Sequence, residues 1–393
     1  MSAPPLSPPP LSPPPESRGS TVVIRWHGRN VEAFIPALLP VGGLALPERV
    51  VRSTERAAAS LRRVDDRLVH RFEAFARLLL RAEGVASSQI EGVRAPAALV
   101  AVAEHDVDAV DTTTAWVADN LAVVDASLAH ARSDATLTAD DLHVWHARLM
   151  THGSLPDGLV GRFRDVQNWI GGPTPREAAY VPPPADHVDR LMDDLLHVAN
   201  ASGLDPVTLA AVVHAQFEAI HPYGDGNGRL GRVLIGWVLA RHARVAVPPP
   251  VSVVIARDTG GYLSGLTRWR QGDVAGWVGW MAEAIRRSAD QVVDLVGHAD
   301  ELRRHWEVLV SDLRVDAAAR RLVELVPLHL VVSAPLVGEL LGVSAPAARG
   351  AIGALARRGI LQPLQVASVR RPGRPPQWWV AGELVAVVGR WSP

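Results

Sequence analysis

Apolar positions three to four residues apart recur through most of this chain, so most of it reads as helix. Val64, Leu68, Phe72, Phe75 and Leu79 keep that interval with Arg and Asp between them, which predicts an amphipathic helix over 64–80. That helix sits in a helical domain of residues 20–110 that opens on a short irregular lead-in. Helices are expected to continue through 111–290, over 116–130, 139–151, 187–200, 207–220, 229–243 and 275–295. Residues 161–184 break the rhythm; they are rich in Gly, Pro and aromatics and read as a hairpin. A third unit spans 300–393, where two short helices, 334–341 and 345–358, meet at Gly342-Val343-Ser344 ahead of a Gly/Pro/Arg-rich hairpin over 362–380. Residues 1–19 have no apolar rhythm. Their core, SAPPLSPPPLSPPPE, cannot build a packed interior and reads as a disordered or polyproline-like tail.

Composition narrows the function classes. A net charge of −1 over 393 residues predicts no general affinity for nucleic acid or anionic membrane. All 40 basic residues are Arg, which with abundant Ala, Val, Gly and Pro reads as coding bias, so Arg content by itself carries no functional message. The absence of cysteine excludes disulfides, thiolate metal sites and Cys nucleophiles, and fits a reducing, cytoplasmic setting. No apolar run approaches the roughly 18 residues of a membrane span, and the N-terminus lacks the pattern of a secretory signal.

Chemistry concentrates in one segment, His221-Pro222-Tyr223-Gly224-Asp225-Gly226-Asn227-Gly228-Arg229-Leu230-Gly231-Arg232, between two expected helices. Three glycines in five positions let a backbone approach a ligand closely, and successive N–H groups entering a helix form an anion site. Arg229 and Arg232, three apart, share one helical face and suit a polyphosphate. Asp225 offers a hard oxygen to Mg²⁺, and His221 is a side chain able to take a proton near neutral pH. Base, metal ligand, phosphate cradle and counter-charges make a phosphoryl or nucleotidyl transfer site.

The segment resembles the signature of the Fic family, HPFx(D/E)GNGRxxR, with Tyr223 in place of Phe. The likeness extends to Gly161-Arg162-Phe163-Arg164, to Gln167-Asn168-Trp169-Ile170-Gly171-Gly172, to Tyr180-Val181-Pro182-Pro183-Pro184 and to the helix 214–220. The resemblance implies a mainly α fold: a Fic-type helical core with a small β-hairpin flap, an N-terminal helical domain and a C-terminal winged helix-turn-helix. It implies a protein adenylyltransferase that moves AMP from ATP to a Ser, Thr or Tyr hydroxyl of a target protein, with Mg²⁺ as cofactor and the flap aligning the target. By position, His221 would be the general base and Asp225 the Mg²⁺ ligand. Gly226, Asn227 and Gly228 would hold the α-phosphate, and Arg229 and Arg232, on the stretch that also carries Leu230 and Gly231, the β- and γ-phosphates. Tyr262 would lie near the base, although the usual second Tyr is Leu263 here. The family's kinase-like variant has Lys where Gly228 stands.

Ser87-Ser88-Gln89-Ile90-Glu91-Gly92 has the form of the family's inhibitory motif, (S/T)xxxE(G/N). The resemblance implies that Ser87, Glu91 and Gly92 form a brake in which Glu91 pairs with Arg232. The third unit, helix–turn–helix then basic hairpin, is a winged-helix pattern with Arg349, Arg357 and Arg358 on its second helix and Arg370, Arg371 and Arg374 in its wing. DNA binding, protein docking and a homodimer stay open for it, as does self-modification. The rival from another class is a transcriptional regulator that uses the core as a nucleotide sensor. His143 and His146 read as surface histidines without a third metal ligand, Asp106, Asp108 and Asp111 as a solvated loop, and the twelve Trp as packing.

Overall fold

A computed structural model describes residues 19–40, 43–68, 72–201, 203–366 and 376–389. The polyproline repeat and wing arginines Arg370, Arg371 and Arg374 lie outside these. The chain begins with a hairpin, β1 (Gly19–Trp26) and β2 (Arg29–Pro36), paired antiparallel from Gly19↔Pro36 to Trp26↔Arg29. Helices α1 (Glu48–Leu68), α2 (Phe72–Ile90), α3 (Ala97–Ala103), α4 (Thr112–Arg132) and α5 (Ala139–Leu149) follow. An irregular stretch leads to α6 (Val188–Ala201), α7 (Pro206–Ile220), α8 (Asn227–His242), α9 (Val251–Arg257), α10 (Thr259–Arg270) and α11 (Val274–Leu309). The last elements are α12 (Ala318–His329), β3 (Val331–Ser333), α13 (Ala334–Leu341), α14 (Ala345–Arg357), β4 (Gln362–Leu364), β5 (Trp378–Val380) and α15 (Gly382–Gly389), with the strands in the antiparallel order β3-β5-β4.

The helical core is built around α7, whose residues from Val207 to Ile220 are all buried. Such a helix needs no amphipathic stripe because neighbours cover every side. Its start is fixed by Asp205, whose carboxylate accepts from the N–H groups of Val207 and Thr208 at 3.1 and 3.0 Å, with Pro206 in the first turn. Helix α8 packs on α7 and α4, and α1 runs along α11. Where α8 crosses α7, a Cβ on Gly231 would fall 2.6 Å from Glu218 Oε1, so glycine permits the approach.

Four expectations change. The lead-in is a hairpin, for Val22 and Ile24 are covered while Thr21, Val23 and Arg25 are exposed, Val31 and Ala33 are buried about the exposed Glu32, and His27 and Gly28 take the positive φ values, 44° and 77°, of a two-residue hairpin turn. The expected helix over 64–80 is instead the end of α1 and the start of α2, with 69–71 outside the described residues. The expected hairpin over 161–184 reduces, among the described residues, to one bridge, Ile170↔Tyr180. Five prolines there donate no N–H, and Gly171 and Gly172 turn the chain at φ 70° and 75°. The helix expected over 275–295 runs on into the third unit, because α11 continues to Leu309 with Val292, Val296, Ala299 and Trp306 buried on one face. Trp306 donates to Glu383 at 2.9 Å and so ties α11 to α15.

Candidate active site

Helix α7 ends at His221, which takes the left-handed conformation (φ 51°, ψ 60°), and α8 begins after Gly226, also left-handed at φ 75°. The six residues from His221 to Gly226 must reverse direction tightly, and the buried Asn227 side chain clamps them: Tyr223 N–H donates to Oδ1 at 2.8 Å and Nδ2 donates to the Tyr223 carbonyl at 2.9 Å. Asn227 therefore offers a ligand its main-chain N–H at the helix start, with its amide committed to the loop. Leu230 is fully buried and Gly231 lies against α7, so neither has a side chain to present. Gly226 and Gly228 leave the backbone open at the α8 N-terminus, where N–H groups are unsatisfied by the helix.

Residues distant in sequence brace this loop. His146 is completely buried; Nε2 donates to the Asp225 carbonyl at 3.1 Å and Nδ1 accepts from Gly161 N–H at 2.9 Å, which fixes one neutral tautomer. Burial pushes its pKa down to about 4. The surface reading of His146 is thus corrected, since its ring stacks on Tyr223 with centroids 4.0 Å apart. His143 Nδ1 meets the Tyr223 hydroxyl at 3.0 Å, so the tyrosine that replaces Phe keeps the packing and gains a partner for its polar tip. Arg164 donates through Nε to the His221 carbonyl at 2.9 Å and through Nη2 to the Pro183 carbonyl at 2.6 Å. Asn168 donates to the Tyr223 carbonyl at 2.9 Å. The segment after Gly161 therefore supports the loop as well as lining the cavity.

A cavity of about 410 Å³ brings together Glu91, Glu218, His221, Gly228, Arg232 and Tyr262, with Ile170, Ala179 and Tyr180 on one wall. Burial, then the Arg164 guanidinium, lowers the pKa of His221 to about 4, so its ring is neutral and able to accept a proton at neutral pH. Tyr262 is buried on α10, its hydroxyl 2.9 Å from His214 Nε2. Asp225 is exposed, with Oδ1 accepting Gly226 N–H at 2.6 Å. No cluster of three or more His, Cys, Asp or Glu suited to a metal occurs among the described residues, so Asp225 is a single protein oxygen.

The two arginines differ. Arg232 is buried and donates from Nε to Ser87 Oγ at 2.9 Å, and from Nη2 to the Ser87 carbonyl and to Glu91 Oε1, each at 2.8 Å. Burial opposes its charge, but Glu91, Tyr262 and Glu218 together more than compensate and its pKa is raised. Burial likewise opposes ionisation of Glu91, but Arg232, with Arg229 and His221, outweighs it and holds the carboxyl below its ordinary range. Arg229 is also buried, stacked 4.3 Å over Trp116, but its Nε and Nη1 have no partner among the described residues.

Glu91 reaches Arg232 because α2 ends in a Schellman motif: Val93 N–H bonds the Ser88 carbonyl at 3.0 Å and Gly92 N–H that of Gln89 at 2.9 Å, with Gly92 at φ 80°. The turn leaves the Glu91 carboxylate against α8, where a Cβ on Gly228 would fall 2.1 Å from Oε1. Asn120 anchors α2 by donating to the Gly84 carbonyl at 2.9 Å and Ser88 Oγ at 3.2 Å, and Glu83 accepts from Ser252 N–H at 3.0 Å. Asn120 and Glu83 carry no local signal that marks these roles, whereas Arg164 and Asn168 fall in the stretches already singled out from the sequence.

In the third unit, Ser344 starts α14 after Gly342 turns at φ 64°. Arg349 and Arg357 are exposed, whereas Arg358 is spent on the Leu309 carbonyl and on Asp312, at 2.9 and 2.7 Å. No helix of the described residues is long and apolar enough to cross a membrane.

Residues 136–239 match the family model of the Fic/DOC family. The protein adenylyltransferase Fic of Drosophila grimshawi is 31% identical over 157 residues, which is 39% of this chain and 30% of that protein. The protein of the same name from Nematostella vectensis is 28% identical over 158 residues, 39% and 34% of the two chains. The chain thus spans about a third of the length of these relatives. A Fic family protein from Desulfovibrio desulfuricans G20 superposes with a TM-score of 0.55 at 22% identity, over 87% of this chain and 98% of that one. A Fic domain containing signaling protein from Bacteroides thetaiotaomicron superposes at 0.50 with 16% identity, over 63% and 98%. Both superpositions show the shared fold.

Proposed function

We propose that residues 136–239, which match the Fic/DOC family model, form a Fic domain and that the chain is a protein adenylyltransferase held in check by its own Glu91. The observation that carries this reading is an anion already seated at the phosphate-binding end of α8. The Glu91 carboxylate lies against Gly228 and pairs with Arg232 at 2.8 Å. A helix N-terminus with a buried guanidinium beside it attracts carboxylate and phosphate for the same reason. ATP with its phosphates on Gly226, Asn227 N–H, Gly228, Arg229 and Arg232 must displace that carboxylate or bind with its γ-phosphate elsewhere. Tyr262 then lines the end of the cavity that takes the adenine.

The reaction joins a target hydroxyl oxygen to the α-phosphorus and breaks the bond to the pyrophosphate leaving group. The hydroxyl proton passes to neutral His221, whose low pKa keeps it unprotonated at neutral pH. Mg²⁺ fits the single exposed carboxylate of Asp225, because that ion commonly takes one protein carboxylate plus phosphates and waters; when bound it neutralises phosphate charge. The target segment lies along the wall formed by Ile170, Ala179 and Tyr180, and a segment of a second copy would serve for self-modification. Donor ATP fits a cytoplasmic setting. The third unit, with the strand and helix order of a winged helix, is a docking or dimerisation module. A DNA-reading role is less well supplied, since Arg358 is engaged and the exposed start of α14 is Ala and Pro.

The test is transfer of label from α-labelled ATP to protein. His221→Ala should reduce transfer by about a hundredfold or more while ATP binding survives. Near-normal turnover in that variant, or label that follows the γ-phosphate, removes the reading.

A further inference from the structure

Three residues before His221, at the same end of α7, stands Glu218, a buried carboxylate that the mechanism above does not use. His221 Nδ1 and Glu218 Oε2 are 3.9 Å apart. Neither His221 Nδ1 nor Glu218 Oε1 has a hydrogen-bond partner among the described residues. Buried polar groups without partners are costly, and a small rotation of either side chain brings His221 Nδ1 onto the Glu218 carboxylate and relieves both. The backbone makes space for the carboxylate, because any side chain at position 231 would collide with Glu218 Oε1. The charged and titratable groups around the pair come from several elements. Arg232 on α8, Arg270 and Tyr262 on α10, Glu91 after α2, and Tyr180 all act on Glu218, and Arg164, Arg270 and Glu91 act on His221.

We propose that Glu218 is the positioning residue of His221, its carboxylate accepting the Nδ1–H so that Nε2 is left free to take the proton of the target hydroxyl. Two effects follow. The ring is held in one tautomer and one orientation. The imidazolium that forms when the hydroxyl proton arrives is stabilised by the adjacent negative charge. The rival acceptor is the main-chain carbonyl of Glu218 itself, which also favours the protonated ring. Burial raises the Glu218 pKa to about 7, so the pair gains its first proton near neutrality, on the carboxyl, and its second only far lower, on the ring. The two steps belong to the pair as a unit. Below about 7 the dyad is switched off, and the acid limb of activity lies there rather than near 4.

This inference rests on the adenylyltransferase reading for its catalytic meaning, but its first test needs no turnover. The full-length protein is labelled with ¹⁵N-histidine, the His221 signals are identified by their loss in His221→Gln, and the ring is titrated. The parent should show an Nδ1–H tautomer and two steps, one near 7 and one near 4. Glu218→Gln should abolish the upper step, and Glu218→Asp, which keeps the charge, should retain it if the glutamine variant fails to fold. An upper step unchanged in Glu218→Gln overturns the pairing and assigns the ring to the main-chain carbonyl. The second test measures AMP transfer in a Glu91→Gly background. Adding Glu218→Gln should lower kcat about tenfold or more, a part of what a positioned base supplies, leave the KM for ATP unchanged and move the acid limb at least about one pH unit lower. Unchanged kcat and limb overturn the proposal. A two-step titration with no transfer in any variant keeps the pairing and defeats the adenylyltransferase reading instead.

Discussion

Arg229 and Arg232 stand one turn apart on α8, yet the two ends of the site around them are opposites. Around Arg232 the chain supplies its own acceptors, the Ser87 hydroxyl and carbonyl and the Glu91 carboxylate, all from the end of α2. Around Arg229 it supplies a Trp116 face and a distant Met150 sulfur at 3.9 Å, and among the described residues Nε and Nη1 are unpartnered. A buried guanidinium without an acceptor is expensive to keep, and proteins retain such groups where a ligand completes them. The difference separates two jobs that the motif alone makes look alike. One arginine lacks acceptors for Nε and Nη1 among the described residues, and the other is paired with a carboxylate of the chain itself.

The largest expected effect breaks that contrast directly. Arg229→Ala should weaken ATP binding by about ten- to a hundredfold, the equivalent of about 1.5–3 kcal/mol for a charge-assisted contact. It should cost little thermal stability, because no protein acceptor is left behind. Arg232→Ala should do the reverse, losing about 1–3 kcal/mol of stability as the Ser87 and Glu91 acceptors lose their donor. Calorimetric ATP titration and thermal melts of the two variants check this. If Arg229→Ala binds ATP as the parent does, Arg229 has another role.

The next effect sharpens the contrast by removing the paired carboxylate. Glu91→Gly should raise AMP transfer onto the protein itself by at least about tenfold, a factor equivalent to about 1.4 kcal/mol. Adding Arg232→Ala should cancel the gain, since the released guanidinium is what ATP gains. Counting label from α-labelled ATP on each purified variant decides it. A Glu91→Gly protein no more active than the parent places the restraint elsewhere.

What was legible in the sequence was contiguous. The run from His221 to Arg232 states its own loop and helix start, because its glycines and caps act on neighbours a few residues away. The 87–92 segment states its turn for the same reason, with Gly92 as the left-handed stop. What was not legible is long-range. Asn120 holds α2 from thirty-odd positions away, and His146 braces Asp225 from 79. Neither residue type nor spacing distinguishes these from an ordinary helical Asn or His. The β1–β2 hairpin had a local signal, the alternation of Val22 and Ile24 against Val31 and Ala33 about His27-Gly28. The expected hairpin over 161–184 had glycines but too many prolines to donate a ladder. Tyr262 is placed in the cavity by α10, an element whose pattern was not read as a helix.

The smallest effect concerns the pH range over which the restraint holds. Arg232 keeps the Glu91 carboxyl below its ordinary value of 4.5, so the folded protein binds this proton less readily than the unfolded chain. A group depressed in that way adds stability that is full above its unfolded value and is lost as pH falls through its folded one. The Glu91 side chain is 39% exposed, so solvent screening keeps the contribution modest. Glu91→Gln preserves shape and removes the titration. The parent should therefore melt slightly above Glu91→Gln from neutral pH down to about 4.5, and the gap should close below that value. Both proteins retain the contacts of Arg232 with Ser87, so the gap reports the carboxylate alone. Melts of the pair between pH 3 and 7, buffered at constant ionic strength, measure it. A gap that widens as the pH drops reverses the sign and means that the Glu91 carboxyl is not held ionised by Arg232.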